Sequence, residues 1–562
     1  GTMSTSFGNI SLSSADAVTL ETDVNAGSGT ISIAANTDGV GSEDYDQRAA
    51  SLWTTNLTSS AVSISVNTAG GGTGDAIIGQ GTVGGSTGGG VTVNSEGGNV
   101  LWSNDPFYNE FTPSQTGQSN GGSNLQTLKA YTYHFETGAS GTAGTDERPL
   151  QIDNFGVNSA ANPVPNLTAD VGSGGLFVTG WDTPGNRDLT IGDITVQGAG
   201  NIRVVAANAA GHNMWVTGTV TSGSGTIVLK ADDTFNLAPN ALIGGSGFSG
   251  TVWIQGNRDQ GTAGQTFTMA ATSAIVTSNT TNNPTANKTP TTQAVYLDMS
   301  GDPGTPSALT VSNIQAGNGG RIVVNAIPNG ITAEAGRIVM ADASNRLNAG
   351  ATGVIELISG ITVSSLADSI GTAALPIQVS GGNVIVSTNY GNVSINGEGD
   401  TSFAVTNTAH SGQTGTGPTE SLSTTNGILR VAGPVSSNRD GLINLASTGA
   451  NGGVVINAPL GDANTGNMTI DAGGNSATLN STISLSSTQT LAVTASTGLT
   501  VGPNGRFEGT GSTTNITPLV VQASGILSPN GSTTGTLNVG DAALVGDGVL
   551  RIDLNSTSSF LS

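Results

Sequence analysis

Apolar residues in this chain come in pairs separated by one other residue: Ile31 and Ile33, Ile64 and Val66, Ile322 and Val324, Ile338 and Met340, Val393 and Ile395, Ile443 and Leu445, Val454 and Ile456. A two-residue period puts both members of a pair on one face of a strand, and the 3.6-residue period of an amphipathic helix is almost absent. Gly, Asn, Asp or Ser bounds nearly every pair, so the pattern predicts many short strands joined by tight turns. One phrase recurs as GSGTISIAAN from Gly27, GSGTIVLKAD from Gly223, GNGGRIVVNA from Gly317, GGNVIVSTN from Gly381 and TGNMTIDAGG from Thr465.

Spacing converts the phrase into an architecture. The turn glycines Gly427, Gly441, Gly453 and Gly466 lie roughly 13 residues apart, and two phrases make a coil of about 25 residues, the period of a solenoid. A sandwich gives similar spacing, but repetition over the full length favours a β-solenoid of roughly 20 coils, which at about 4.8 Å per layer is a rod about 100 Å long. Inward Val, Ile and Leu would then stack into ladders, outward Ser, Thr and Asn would hydrogen-bond along the stack, and Gly and Asn would supply the positive φ of the turns. IleSerLeuSerSer occurs at Ile10–Ser14 and at Ile483–Ser487. Asn-Arg-Asp occurs at 186–188, 257–259 and 438–440 and is expected to mark equivalent turns.

Composition agrees with a folded, turn-rich chain. Glycine contributes 85 of 562 residues, about twice the usual ~7%. Hydrophobic residues make up 35% and charged residues only 9%, the reverse of a disordered composition. Against 38 acidic residues stand 15 basic ones, a net charge of −23 spread thinly, which disfavours nucleic acid and anionic membrane surfaces as partners. There is no cysteine; a large stacked core needs no disulfides, and their absence suits bacterial export of an unfolded chain. No apolar run approaches the ~18 residues that span a bilayer, so no transmembrane segment is expected. The opening GlyThrMet and the lack of a leader pattern suggest a segment of something longer.

One stretch departs from this texture. Residues 102–155 hold Trp102, Phe107, Tyr108, Phe111, Tyr131, Tyr133, Phe135 and Phe155, as a loop or subdomain inserted between coils would. Four regions follow: N-terminal coils at 1–101, the aromatic-rich insertion at 102–155, the main β-helix at 156–519, and C-terminal coils at 520–562. The last region resembles the passenger-associated repeat of bacterial autotransporters, through Pro529, Gly531, Ser532, Gly535, Thr536 and Leu537 and then Leu544, Leu550, Ile552 and Leu554, though its turn is one residue longer and lacks the second proline. SerIleGlyThrAlaAlaLeuProIle at Ser369–Ile377 and ArgProLeuGlnIle at Arg148–Ile152 resemble junctions of giant haemagglutinin-like surface proteins. These resemblances imply a right-handed parallel β-helix, outer-membrane export and adhesion at an extracellular or outer cell-surface location.

Candidate chemistry is sparse. Asp38, Glu43, Asp44 and Asp46 share one loop whose hard oxygen ligands could hold Ca²⁺, although the spacing matches neither an EF-hand nor a calcium-binding β-roll; a solvated acidic loop is the favoured reading. His134, His212 and His410 lie far apart without cysteine partners, leaving zinc unsupported. A β-helical polysaccharide lyase or hydrolase would need carboxylates and bases converging on one face. Its candidates are Asp182, Arg187 and Asp188, Lys230 with Asp232 and Asp233, and Arg258 with Asp259, with Asp188 and Asp233 two coils apart on one side. Local turns with paired charges are favoured over such a site. Trp181 and Trp253, each a few residues before an Asn-Arg-Asp triplet, could stack an arginine on the indole, and the aromatic insertion could face a glycan or a protein.

The expectation is therefore a rigid solenoid fibre or stalk, part of a very large secreted or cell-surface bacterial protein, without catalytic, cofactor-binding or metal-binding residues. Its expected partners are copies of itself, other cell-surface proteins and glycans; the alternative is a β-helical carbohydrate-active enzyme or glycan-binding module. A face lined by three or more converging carboxylates and bases beside aromatics would count against a fibre-only function.

Overall fold

The computed structural model describes residues 1–48, 50–78, 83–84, 90–102, 128–130, 132–154, 167–181, 188–207, 213–258, 265–283, 292–299, 307–327, 336–360, 368–380, 382–389, 391–408, 417–514, 518–529, 537, 539, 542–545 and 549–550. They form two compact units, Gly1–Asn279 with Lys288–Ser300, and Thr280–Asn287 with Gly301–Ser562. The division falls within the 156–519 region. No α-helix occurs among the described residues, and no helix is long and apolar enough to cross a membrane.

Both units are β-solenoids, and each coil generally contributes three strands. In the first unit Met3–Ser4, Ile10–Ser13 and Val18–Leu20 pair in parallel with Val24–Asn25, Ile31–Ala35 and Tyr45–Gln47. In the second, Ala477–Leu479, Thr482–Leu485 and Thr490–Thr494 pair with Leu499–Val501, Arg506–Gly509 and Ser512–Thr514. Two phrases per coil were expected from the sequence. The third strand escapes that reading because it is often only two residues long, as in Leu52–Trp53 and Leu347–Asn348, too short to show alternation. Among the described residues, 55 strands at three to a coil make roughly 18 coils, near the expected number. The 25-residue coil is present between Asn201 and Thr226. Equivalent positions elsewhere lie from 18 residues apart, at Gln378 and Asn396, to 45 apart, at Val83 and Leu128.

The apolar pairs stack into the predicted ladders. In the first unit Ile33, Ile64, Val93, Phe135, Ala169, Ile194, Val220, Ile243 and Ile275 are register partners in consecutive coils, and all are buried. In the second, Ile395, Leu422, Leu445, Ile470 and Val493 do the same. Each such side chain contributes about 1.5–3 kcal/mol by leaving water. Tyr133 and Phe135 occupy ladder positions between Val91 and Val93 on one side and Leu167 and Ala169 on the other. Residues 128–130 and 132–154 of the aromatic-rich stretch thus supply ordinary coil strands; residues 103–127, Tyr131 and Phe155 lie outside the described residues.

Turn residues hold the coils in register. Asp44 Oδ1 accepts the Asp75 N–H at 2.7 Å, Asp75 Oδ1 the Asn99 N–H at 2.8 Å, and Asn99 Oδ1 the Thr142 N–H at 2.9 Å, a side-chain rail running from coil to coil. Asn201 with Thr226, Asp400 with Ile428 and Asn467 with Thr490 repeat the contact. Asn36 and Asn67 do adopt positive φ, 49° and 63°, and hydrogen-bond to each other inside a corner. The stacked glycines Gly200, Gly225 and Gly250 serve a different purpose, clearance: a Cβ on Gly225 would strike the Gly200 carbonyl, and one on Gly250 the Gly225 carbonyl. The Asn-Arg-Asp triplets are not equivalent, since positive φ falls on Asn257 in one and on Arg439 and Asp440 in another. Arg187 and Asp259 of the other copies lie outside the described residues.

One ladder position is acidic. Glu420 takes a register place between Val393 and Ile443 and is fully buried, with Oε1 accepting from Asn407 Nδ2 at 2.6 Å. Burial raises its pKa from 4.5 to about 8, against the lowering effect of hydrogen bonds from Asn407 and Ser437. A carboxyl whose folded pKa is raised stabilises the fold fully below its unfolded pKa, and that contribution is lost as pH rises toward the folded value. Glu420→Gln keeps the acceptor and removes the titration. Relative to wild type, the variant should therefore gain on the order of 1 kcal/mol per pH unit between about pH 5 and 8. Native-state amide exchange at Leu422 and Leu445, compared at matched pH, reads this directly; a wild-type/variant difference independent of pH would refute it.

Candidate functional site

The first unit carries one outward face on which charged and aromatic side chains meet. Gly175–Trp181, Ile202–Ala207, Ile227–Ala231, Val252–Gly256 and Val295–Met299 pair successively in parallel. Leu176, Ile202, Ile227, Val252 and Val295 point inward, so alternation places two columns outside: Phe177–Arg203–Val228–Trp253–Tyr296 and Thr179–Val205–Lys230–Gln255–Asp298. Although they face away from the coil interior, Phe177, Val205, Tyr296 and Asp298 keep no more than 9% of their surface exposed.

Lys230, Trp253 and Asp298 come from three consecutive coils. Gln255 is the register partner of Lys230, and Trp253 precedes Gln255 by two residues, so the lysine leans along a diagonal and sets Nζ 3.5 Å from the indole centroid. Asp298 lies one coil further, opposite Gln255. The Trp253 N–H faces its carboxyl as a donor, and both groups are buried. Burial raises the Asp298 pKa to about 7, with Lys230 and the Trp253 N–H opposing. Burial likewise lowers Lys230 to about 8, with Asp298 opposing and Arg258 and Arg203 adding to the depression. Arg258 Nε bonds Asp232 Oδ1 at 2.5 Å, and Arg203 Nη1 bonds Asp146 Oδ1 at 2.6 Å. A base, a carboxyl able to change protonation near neutrality and an indole are thus assembled beside two ion pairs.

Several residues proposed from the sequence gather here and others disperse. Lys230, Asp232 and Arg258 belong to the cluster, but the indole of Trp253 receives Lys230 rather than an arginine, because Arg258 is held by Asp232. Asp188 and Asp233 do lie two coils apart: Leu189 pairs with Met214 and Met214 with Phe235. Asp188 is committed to the next coil, accepting from Asn213 Nδ2 and Trp215 Nε1 at 2.8 Å each, and burial raises its pKa against those two bonds. Asp182, Arg187, Asp259, His212, His410 and the side chain of Trp181 lie outside the described residues. His134 Nδ1 sits 2.9 Å from Thr168 Oγ1 in the next coil.

The acidic loop is divided among separate tasks. Asp38 accepts the Val40 N–H, Asp46 pairs with Arg48, and Asp44 belongs to the turn rail. Burial raises the Asp44 pKa, the Asp75 N–H lowers it, and the carboxylates of Asp75, Asp46 and Glu43 raise it further. No group of three or more His, Asp or Glu positioned to hold a metal occurs among the described residues.

Asp298 was not foreseen. The only signal was a polar residue at an outward place in the strand sequence ValTyrLeuAspMet. Its register with Lys230 depends on a coil of 43 residues, from Val252 to Val295, which a 25-residue spacing cannot anticipate. Comparison of the chain with protein-family models, curated proteins and solved structures found no match.

The coupling of Lys230 to Asp298 is open to measurement. The chain has three lysines, so NMR of ¹³Cε-labelled lysine resolves each titration. Lys230 should titrate near 8, and Asp298→Asn should shift its midpoint lower, because the carboxylate that favours the ammonium is gone. A wild-type midpoint near the ordinary 10.5 would show that the ammonium is not desolvated on the face.

Proposed function

We propose that the chain is a structural and adhesive part of a large secreted or cell-surface bacterial protein, a β-solenoid scaffold built to present long outward faces. The observation that carries this reading is the stacking within each unit, where, among the described residues, inward ladders and side-chain rails run coil after coil. Such a stack is stiff because each coil is bonded along its length to the next, and it needs no disulfide. Thin charge and outward Ser, Thr and Asn fit an exported protein that associates with copies of itself or with other surface components. The resemblance of residues 520–555 to the autotransporter passenger repeat supports the same reading, although its turn residues Gly531, Ser532, Gly535 and Thr536 lie outside the described residues.

The cluster of Lys230, Asp298, Asp232 and Arg258 beside Trp253 is the specific observation favouring the second reading, a carbohydrate-active or glycan-binding solenoid. Binding is the better supported half of that reading. Among the described residues Asp232 is tied up by Arg258 and is not free to act on a substrate beside Lys230 and Asp298.

Two measurements separate the readings. Immunogold electron microscopy of intact cells should label the surface, and labelling confined to the cytoplasm would overturn the scaffold proposal. Purified protein incubated with a panel of neutral and acidic polysaccharides should release neither reducing ends nor unsaturated uronates; release abolished by Lys230→Ala would establish the enzyme instead.

A further inference from the structure

Asn-Gly steps are chemically labile, because the glycine nitrogen can attack the asparagine side-chain carbonyl and a residue without a Cβ does nothing to hinder it. Five such steps lie among the described residues: Asn318–Gly319, Asn396–Gly397, Asn426–Gly427, Asn451–Gly452 and Asn504–Gly505. The solenoid restrains four of them. The Gly319 N–H donates to the Ala349 carbonyl at 3.1 Å, the Gly452 N–H to Gly449 at 3.1 Å and the Gly505 N–H to Gly502 at 2.8 Å. Asn318 is held as well, its Oδ1 accepting from the Thr352 N–H and hydroxyl at 3.3 Å each. Asn396 and Gly397 lie inside the strand Asn392–Glu398, which is paired on both sides, and Asn396 Nδ2 donates to Gln378 Oε1 at 2.9 Å.

Asn426–Gly427 differs from all four. It forms the corner between Glu420–Thr425 and Ile428–Ser436. Asn426 is exposed, its own N–H is bonded to the Thr448 carbonyl at 2.8 Å, and its φ is 59°. Among the described residues, neither its side-chain amide nor the Gly427 N–H makes a hydrogen bond. A buried backbone donor without a partner is rare in a folded chain, and here that donor carries the attacking nitrogen. The corner also has little slack. A Cβ on Gly427 would strike the Gly399 carbonyl and the Asp400 nitrogen of the preceding coil, and the next N–H along, that of Ile428, is held by Asp400 Oδ1 at 2.9 Å.

We infer that Asn426–Gly427 is a site of spontaneous covalent modification, converting to aspartate and isoaspartate ahead of the other described Asn-Gly steps. The Gly427 nitrogen loses its proton and bonds to Asn426 Cγ, the side-chain nitrogen leaves as ammonia, and water opens the resulting succinimide at either carbonyl. Water enters and ammonia leaves, and nothing is oxidised or reduced. Opening at the main-chain carbonyl of residue 426 gives isoaspartate, whose link runs through the former side chain and lengthens the backbone by one methylene. That methylene has to be absorbed where Gly427 already abuts Gly399, so the modification loosens the junction between these two coils.

Peptide mapping by mass spectrometry of the purified chain, held for increasing times in mildly alkaline buffer, tests this. Replacement of NH by O should appear first at residue 426, about 5-fold faster than at Asn451 and Asn504, whose glycine N–H must first leave a hydrogen bond. Electron-transfer fragmentation should show isoaspartate there. Amide exchange at Ile428 and Leu429 should quicken in step with its formation, and should stay constant with time in Asn426→Gly, which tolerates the positive φ and has no amide to lose. A synthetic peptide of residues 424–430 measures the intrinsic rate without relying on any variant. Conversion at Asn451 or Asn504 as fast as at Asn426, an unconverted Asn426 after the peptide has reacted to completion, or exchange at Ile428 and Leu429 unaffected by conversion would each overturn the proposal. None of these outcomes bears on the scaffold reading, which the surface-labelling experiment tests.

Discussion

Parallel register between successive coils is the constraint on which everything else here depends. A short strand cannot satisfy its own backbone, so its N–H and C=O groups must find the strand one coil away, and a slip of one residue would turn every Val and Ile from the core to the surface. The ladder from Ile33 to Ile275 keeps its alternation through coils of very different length. The strands keep their register across these differences in length. The carboxylate and carboxamide rail of Asp44, Asp75 and Asn99 fixes the same register from outside the core, one backbone N–H at a time.

The same constraint produces chemistry. A solenoid brings together residues that are remote in sequence whenever they occupy one column, and it does so on a rigid frame. Lys230, Trp253 and Asp298 meet because three coils agree in phase. Within the second unit it also carries Glu420 into an aliphatic ladder, where an otherwise ordinary carboxyl becomes a neutral acid held by Asn407. Polar groups of this kind mark where the repetition is broken, and they are the places with properties beyond packing.

How much of this was legible in the sequence varies with the range of the interaction. Local alternation at Ile31 and Ile33 or Ile443 and Leu445 identified strands and their inward faces, because a two-residue period is written within five residues. The third strand of each coil was hidden, since Leu52–Trp53 is too short to show a period. Glycines read as turn formers proved at Gly225 and Gly250 to be clearance positions, a distinction that depends on the neighbouring coil. The Asn-Arg-Asp triplets shared letters and not backbone conformation, because chain geometry on either side decides which residue takes positive φ. Lys230, Asp232 and Arg258 were found as charges, but their pairing was not, and Asp298 was missed because its column is set by an excursion of irregular length.

Cross-linking tests the register itself, and a chain without cysteine is well suited to it. Ser32 and Ser63 are outward register partners in adjacent coils, and Thr92 occupies the same column one coil further. Adjacent strands lie about 4.8 Å apart, within the roughly 4.4–6.8 Å Cα separation a disulfide accepts, whereas two coils span about twice that distance. Ser32→Cys with Ser63→Cys should therefore close to an intramolecular disulfide under mild oxidation, and Ser32→Cys with Thr92→Cys should not. Efficient closure of the second pair with failure of the first would contradict the stacked-coil account.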